Sequence, residues 1–398
     1  MKNKKITIIY GAGNAGVRLA KKLKLKQKIN FFVDDDLNKI GKKVLKIKVI
    51  SYKDLVLINK ENSSLNLIVA IPSLSLIKRK QLFKKLNSIT DTVTTLPTNK
   101  ELINDKIEIS DLSKINFSDI INRKNLEIDY KKLKYLTKKN ILVTGAAGSI
   151  GSEISRQLSK FNTYNLIFLD LSENSLSRLI NSEKIKKKKN IKYLIGNILD
   201  TNSIKKIILK YNINIIFHAA AYKHVDLLED NIVQAAKNNI IGTFSMLEAA
   251  TISKNKIKFV YISTDKAVKP IGILGYTKGF GEVICQNLFN KIKKLDITIV
   301  RFGNVFASDG SYFDKINNQI KDKNIINLTH KKMERYFMSI EEACYLVLKS
   351  LTISSIDKLF ILNMGRPMKI FDLVNKLIKI INKDIKIKII GIRKGEKL

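Results

Sequence analysis

Three groups of residues in this sequence are of types that do chemistry. The first is Gly145-Ala146-Ala147-Gly148-Ser149-Ile150-Gly151, with Asp170 further along. In such a loop the first glycine permits a tight turn, the second lets backbone approach a pyrophosphate, and the third lets a helix pack close to a strand. The helix start then faces the phosphates with free N–H groups and partial positive charge. An acid roughly 20 residues on, at a strand end, bonds the adenosine ribose hydroxyl. Its charge repels a 2′-phosphate, so NAD is expected rather than NADP. The second group is Asp265-Lys266, following Thr264: an acid beside an amine, or else a solvated turn pair before Pro270. The third is Lys278, with Leu274 four residues before it and Tyr276 two before it.

These groups need elements to position them. Ile141–Thr144 reads as a buried strand, and Ile150, Ile154 and Leu158 recur every fourth residue as the buried face of a helix. The same strand–loop–helix pattern occurs earlier, in Ile6–Tyr10, then Gly11, Gly13 and Gly16, then Val17–Leu23, with Asp34 as the acid. That first loop either binds a nucleotide or survives as a scaffold. Domain one continues with strands at Ile29–Asp36 and Asn66–Pro72. Later strands are expected at Leu166–Asp170, Tyr193–Asn197, Ile213–Ala221, Phe259–Thr264 and Ile297–Gly303. The fold class is therefore α/β, with two Rossmann-like, doubly wound parallel-sheet domains. Their expected bounds are 1–98 and 140–398, joined by a helical connector over 99–139 that includes Asp119–Arg123. A small C-terminal substrate lobe is expected from about residue 304.

Composition narrows the partners. Among 398 residues, 73 Lys and Arg stand against 35 Asp and Glu, a net charge of +38. Nucleic acid, an anionic membrane surface or an anionic substrate would each suit that balance. So would A/T-rich codons, since the lysine travels with abundant Ile and Asn. No Arg-rich arm or zinc-ligand spacing accompanies the charge, so no nucleic-acid partner is expected. Cys285 and Cys344 are far apart, which suits a reducing compartment and gives no metal site. No apolar run reaches the length of a membrane span. His218 and His224 are assigned no chemistry.

Short-chain dehydrogenases carry Tyr-x-x-x-Lys. Here Lys278 fits the lysine, Leu274 stands where the tyrosine would be, and Tyr276 is at the wrong offset. Ser263–Pro270 followed by Gly275-Tyr276-Thr277-Lys278 resembles the polysaccharide-biosynthesis, CapD-like nucleotide-sugar 4,6-dehydratases, on the extended short-chain dehydrogenase fold. The membrane-type branch of that family replaces the tyrosine with an apolar residue. His218–Val225, Asn239–Thr243, Arg301–Val305, Met333–Met338 and Gly391–Leu398 resemble further family segments, as do the first domain and the connector. The membrane-type members carry transmembrane helices ahead of domain one and continue past the last motif. This sequence starts at that domain and stops at that motif, so a cytoplasmic protein is expected, with peripheral association at the inner membrane.

The resemblance implies oxidation of UDP-N-acetylglucosamine at C4 by NAD, loss of water across C5 and C6, and return of hydride to C6. It implies Thr264 at the C4 oxygen, Asp265 as acid for the C6 hydroxyl, Lys266 as base at C5, and Lys278 on the nicotinamide ribose. A lysine serves as base only where burial or a neighbouring cation such as Lys278 favours its neutral form. Cofactor contacts are expected from Gly145, Ala147, Gly148, Ser149, Ile150, Gly151, Asp170, Asn197, Ile198, Ala219, Ala220, Ala221, Asn239 and Lys278. Substrate contacts are expected from Lys223 and Asn304. Arg301, Arg335 and Arg393 pair with the UDP diphosphate or else form surface salt bridges. A homo-oligomer is expected. A UDP-sugar 4-epimerase is the nearest alternative, but it needs no Asp-Lys pair and keeps the tyrosine. An inactive nucleotide-sensing or scaffold homologue is the alternative from another class.

Overall fold

The computed structural model describes residues 6–23, 29–61, 65–71, positions 81–83, 85, 86, 89 and 93–95, then 126, 128–182, 185, 188–306, 316, 319, 325–353, 358–381 and 385–398. They fall in two units, one holding the described residues up to 95 together with Ile380 and Ile381, the other the remaining described residues from 126. Most of the expected connector, Asp119–Arg123 included, and the boundary at residue 98 lie outside the described residues.

In the first unit, alternate residues of β1 (Ile6–Tyr10) are buried on opposite faces of a sheet. Ile8 and Tyr10 pack with Val33 and Leu67, while Ile9 packs with Phe32 and Val49. Burial on both faces is what a parallel sheet needs. The other strands are β2 (Phe31–Val33), β3 (Lys43–Val44), β4 (Ile47–Ile50), β5 (Leu65–Val69) and β6 (Val93–Thr95). Their order is β3-β4-β2-β1-β5-β6, parallel throughout except for the β3–β4 hairpin. Helices α1 (Asn14–Leu23) and α2 (Tyr52–Glu61) belong to the crossovers. The strand expected at Ile29–Asp36 is shorter than its apolar-to-acid pattern suggested. Asp34 turns to accept Ala12 N–H (2.8 Å), and its other oxygen accepts Asp36 N–H (3.0 Å), which closes a turn.

The second unit opens with a 3₁₀ segment, Tyr130–Leu136, that buries Leu133 and Leu136. Seven strands follow in one all-parallel sheet: β7 (Asn140–Thr144), β8 (Asn165–Asp170), β9 (Ile191–Ile195), β10 (Ile215–His218), β11 (Ile257–Thr264), β12 (Leu295–Phe302) and, after a detour, β17 (Leu359–Ile361). The order β17-β12-β11-β10-β7-β8-β9 reverses between β7 and β10. A crevice opens beyond the carboxyl ends of the strands at such a reversal. The crossovers hold α3 (Ser149–Leu158), α4 (Glu173–Ile180), α5 (Thr201–Lys210), α6 (Val225–Asp230), α7 (Ile232–Ala236), α8 (Gly242–Ala250) and α9 (Ile273–Lys291). Two strands end earlier than their apolar runs suggested. His218 pairs with Thr144, the last residue of β7, so Ala219–Ala221 lie in the loop beyond. Ile195 pairs with Asp170, the end of β8, so Gly196 and Asn197 are loop residues too.

From Asn304 the chain makes small two-stranded sheets. β13 (Asn304–Phe306) pairs with β16 (Phe337–Ser339), β14 (Ile325–Leu328) with β19 (Lys386–Ile389), and β15 (Glu334–Arg335) with β18 (Met368–Lys369). Between them α10 (Ile340–Ser350) returns to the main body. Its Cys344, Val347 and Leu348 share a core with Val143 and Phe168, and Gln157 of α3 donates to Glu341 O (2.9 Å). The expected lobe is therefore interrupted by α10 and β17. A last helix, α11 (Ile370–Ile381), precedes β19. No helix among the described residues is long and apolar enough to cross a membrane.

The first glycine loop makes its own prediction. A Cβ on Gly16 would lie 1.8 Å from the Gly11 carbonyl oxygen, whereas one on Gly13 meets nothing within 4 Å. Gly16→Ala is expected to destabilise the first unit by about 1–3 kcal/mol, and Gly13→Ala by no more than about 0.5 kcal/mol. Urea unfolding of the two variants checks this; equal midpoints would contradict it.

Candidate active site

The crevice at the reversal is a cleft of about 1630 Å³. Its floor is the second glycine turn. Gly145 has φ +62°, and a Cβ there would sit 2.7 Å from the Ala220 backbone. Glycine alone lets the loops after β7 and β10 meet. α3 then starts at Gly148 with no side-chain cap, so its first N–H groups point into the cleft with the positive end of the helix dipole. Asp170 sits at the rim, accepting Ala147 N–H and Ser172 N–H, each at 2.9 Å. Gly148, Ser149, Ile150, Gly151, Asn197, Ile198, Ala219 and Ala221 line the same cleft. The glycine cradle, the uncapped helix start and the rim carboxylate fit a dinucleotide. In the first unit the corresponding Asp34 also accepts from the glycine loop, but Lys39 pairs with it at 3.4 Å.

Across the cleft, β11 ends at Thr264, whose Oγ1 accepts Lys266 N–H (3.3 Å) and caps a 3₁₀ turn at Asp265–Ala267. The turn and Asn304 together bring four side chains into one cluster. Lys266 Nζ lies 3.2 Å from Asp265 Oδ1 and 3.0 Å from Asn304 Oδ1, and Thr264 Oγ1 donates to Asp265 Oδ1 at 3.0 Å. All four residues line the cleft.

Lys278, on α9, lines the same cleft. It is 5% exposed, with its ammonium 3.9 Å from the centre of the Tyr261 ring. Burial pushes its pKa from 10.5 down to about 7. Leu274, one turn earlier, is buried against Leu228 and Ala235, so no hydroxyl stands beside Lys278 at that position. His218 lies between Thr144 and Thr243, at 2.8 and 3.2 Å, and burial drops its pKa to about 3. It is a neutral packing residue. Asn239 is 1% exposed and does not line the cleft. It accepts Tyr222 N–H (2.8 Å) and donates to Tyr222 O (3.1 Å), holding the loop that does. It belongs to a π-helical stretch, Lys237–Ile241, of the kind often found beside functional sites.

This geometry can be set beside known proteins. Residues 141–398 match the family model described as polysaccharide biosynthesis protein. The chain belongs to that family. It is 37% identical, over 99% of its own length and 68% of the relative's, to the capsular polysaccharide biosynthesis protein CapD of Staphylococcus aureus. Among solved structures it resembles Pen from Bacillus thuringiensis, with TM-score 0.61 and 32% identity over 66% of this chain and 80% of that one. A dTDP-glucose 4,6-dehydratase, the DesIV double mutant from Streptomyces venezuelae solved with NAD and DAU, shares the fold: TM-score 0.58 and 18% identity over 65% of this chain and 86% of that one.

In this family member the three arginines part company. Arg335 lines the cleft and donates to Lys397 O (2.8 Å). Arg393 is outside the lining and pairs with Asp226 at 2.9 Å. Arg301 is also outside it; its guanidinium forks onto both oxygens of Glu282. The structure thus gives Arg301 an ion pair with Glu282 in place of a position on the cleft wall. Lys223 reaches back to Ser149 Oγ (3.2 Å) at the start of α3. Glu282 and its partner Ser263 (2.5 Å) went unread in the sequence. The signal was there: a lone acid one turn after Lys278, within an otherwise uncharged stretch of α9.

The buried Lys278 generates a pH prediction. Between about pH 7 and the ordinary lysine value, the unfolded chain carries a proton at this residue that the folded chain lacks. Stability from this group therefore rises with pH in that window, by at most about 1.4 kcal/mol per unit. Unfolding at pH 7 and pH 9 is expected to show wild type gaining on Lys278→Met; a constant difference would remove burial as the cause.

Proposed function

We propose that the protein is an NAD-dependent nucleotide-sugar 4,6-dehydratase acting on UDP-N-acetylglucosamine for polysaccharide biosynthesis. The observation that carries this reading is the contact between Asp265 and Lys266 within one cleft with Lys278 and the Gly145 turn. Elimination of water needs a base at C5 and an acid at the C6 hydroxyl together, and this pair offers both on consecutive residues. An epimerase has no use for such a pair, and Leu274 denies it the usual hydroxyl.

Gly145–Gly151 and Asp170 hold the dinucleotide, and Asp170 selects NAD over NADP by repelling a 2′-phosphate. NAD held there would supply the hydride acceptor for C4 and the hydride donor for C6. Lys278 holds the nicotinamide ribose. Thr264 bonds the C4 oxygen. Once C4 is a ketone, the C5 proton is acidic, and Lys266 takes it while Asp265 gives a proton to the departing C6 hydroxyl. Lys266 ends the step charged and Asp265 ends it ionised. When hydride adds to C6, Lys266 gives its proton back to C5; the proton lost from the C4 hydroxyl on oxidation passes to solvent and one from solvent restores Asp265, so both groups, held 3.2 Å apart, are rearmed. The negative charge of a UDP-sugar suits a cleft lined by Lys223, Lys269 and Arg335.

Incubation with UDP-N-acetylglucosamine is expected to give a product lighter by one water; a product of unchanged mass but altered sugar would make the protein an epimerase. Lys266→Ala is expected to lower turnover about a hundredfold to ten-thousandfold and to lower exchange of the C5 proton with heavy water in parallel. Asp265→Asn keeps the base, so exchange is expected to survive while water loss slows. Wild-type turnover and exchange in Lys266→Ala would place the base elsewhere. In calorimetry NAD is expected to bind more tightly than NADP, and Asp170→Ala to narrow the gap.

A further inference from the structure

The chain places a second acid near the reacting groups that the mechanism above does not use. Glu282 is 3% exposed, on α9 one turn beyond Lys278, in the same buried layer as Cys285. Its Oε1 accepts from Ser263 Oγ at 2.5 Å and from Arg301 Nε at 2.8 Å, and its Oε2 accepts from the Arg301 NH2 group. Ser263 and Arg301 are direct partners in the β11–β12 ladder. One carboxylate therefore ties the helix that carries Lys278 to two neighbouring strands. It does so one residue before Thr264 and three before Asn304, where those strands release the acid–base cluster into the cleft.

The charges matter as much as the ties. Among the described residues no carboxylate lies within ion-pair distance of Lys278; its ammonium faces the Tyr261 ring instead. Arg301 engages both oxygens of Glu282, so the closest acid on α9 is largely neutralised by another cation. A bidentate guanidinium–carboxylate pair is directional and strong, and a lysine in place of Arg301 could not span both oxygens.

We infer that Glu282, held by Arg301 and Ser263, is a positioning residue for this active site: it sets the place of Lys278 relative to Thr264 and Asn304, and it sets the charge that Lys278 experiences. The inference rests on the dehydratase reading for its effect on turnover, but not for its effect on Lys278. The groups that face Lys278 are Tyr261 from β11, His218 from β10, and Glu282 and Cys285 from α9. Of these, His218 is neutral at ordinary pH, and burial holds the Cys285 thiol and the Tyr261 hydroxyl in their neutral forms. Glu282 is thus the group through which a substitution can change the field at Lys278.

The test is a titration of the full chain labelled with ¹³C at the lysine Cε, in the presence of NAD, followed by NMR. The Lys278 signal is the one missing from Lys278→Met. Glu282→Gln is expected to move the Lys278 midpoint down, because a negative charge is lost, and to cut turnover tenfold or more. Arg301→Lys is expected to move it up, because Glu282 is then less fully neutralised. An unmoved midpoint in Glu282→Gln, whether or not turnover falls, would reduce Glu282 to packing and overturn the inference. If Glu282→Gln does not fold, Arg301→Lys decides by the same criterion. Should wild type fail to dehydrate any UDP-sugar, the dehydratase reading falls while the midpoints still judge Glu282.

Discussion

The site depends on two backbone loops being able to touch. β7 and β10 are neighbours in the sheet, and their crossovers leave in opposite directions. The cleft is what lies between the departing chains. Gly145 at φ +62° lets the first loop fold down onto the Ala219–Ala220 backbone with no side chain between them. α3 is then aimed at the gap rather than past it, and Asp170 is close enough to close the rim. A larger residue at 145 would part the loops and disturb helix, rim and floor together, because all three are registered on that contact.

Behind the cleft the protein buries charge, which is costly unless it is paired. Two solutions stand side by side on α9. Glu282 and Arg301 satisfy each other with short, two-pronged hydrogen bonds and a serine. Among the described residues the Lys278 ammonium meets an aromatic face and no carboxylate, and burial shifts its protonation towards neutrality. The second arrangement leaves a group whose charge state can change when a ligand arrives; the first keeps the frame around it fixed. Arg156 and Glu153 form a comparable pair where α3 meets α10, well away from the chemistry.

Much of this was legible in the sequence because it is local. A strand, a glycine turn and a helix occupy adjacent residues, and Ile150, Ile154 and Leu158 announce the buried face directly. Thr264, Asp265 and Lys266 are consecutive. What stayed hidden was long-range. The apolar run at Ile213–Ala221 does not say where its strand stops, since that is decided by the end of β7 at Thr144. Arg301 reads as a phosphate ligand until Glu282 is found opposite it. The interruption of the last lobe by α10 and β17 depends on packing against α3 and β12, residues far away in the chain. Asn239 sits in a segment that looks like a helix, and only the fold shows it clamping the Tyr222 backbone.

Lys266 and Asp265 are joined by a single peptide bond, and that has a consequence for precision. Catalytic groups from different elements drift apart whenever those elements breathe. Here the spacing between the two Cα atoms is fixed by covalent geometry at about 3.8 Å. Thermal motion of the sheet can tilt the pair but cannot separate its two Cα atoms. On the dehydratase reading proposed above, the tolerance that matters is how the sugar is laid over the turn, and the burden of accuracy passes from the acid–base pair to the walls of the cleft.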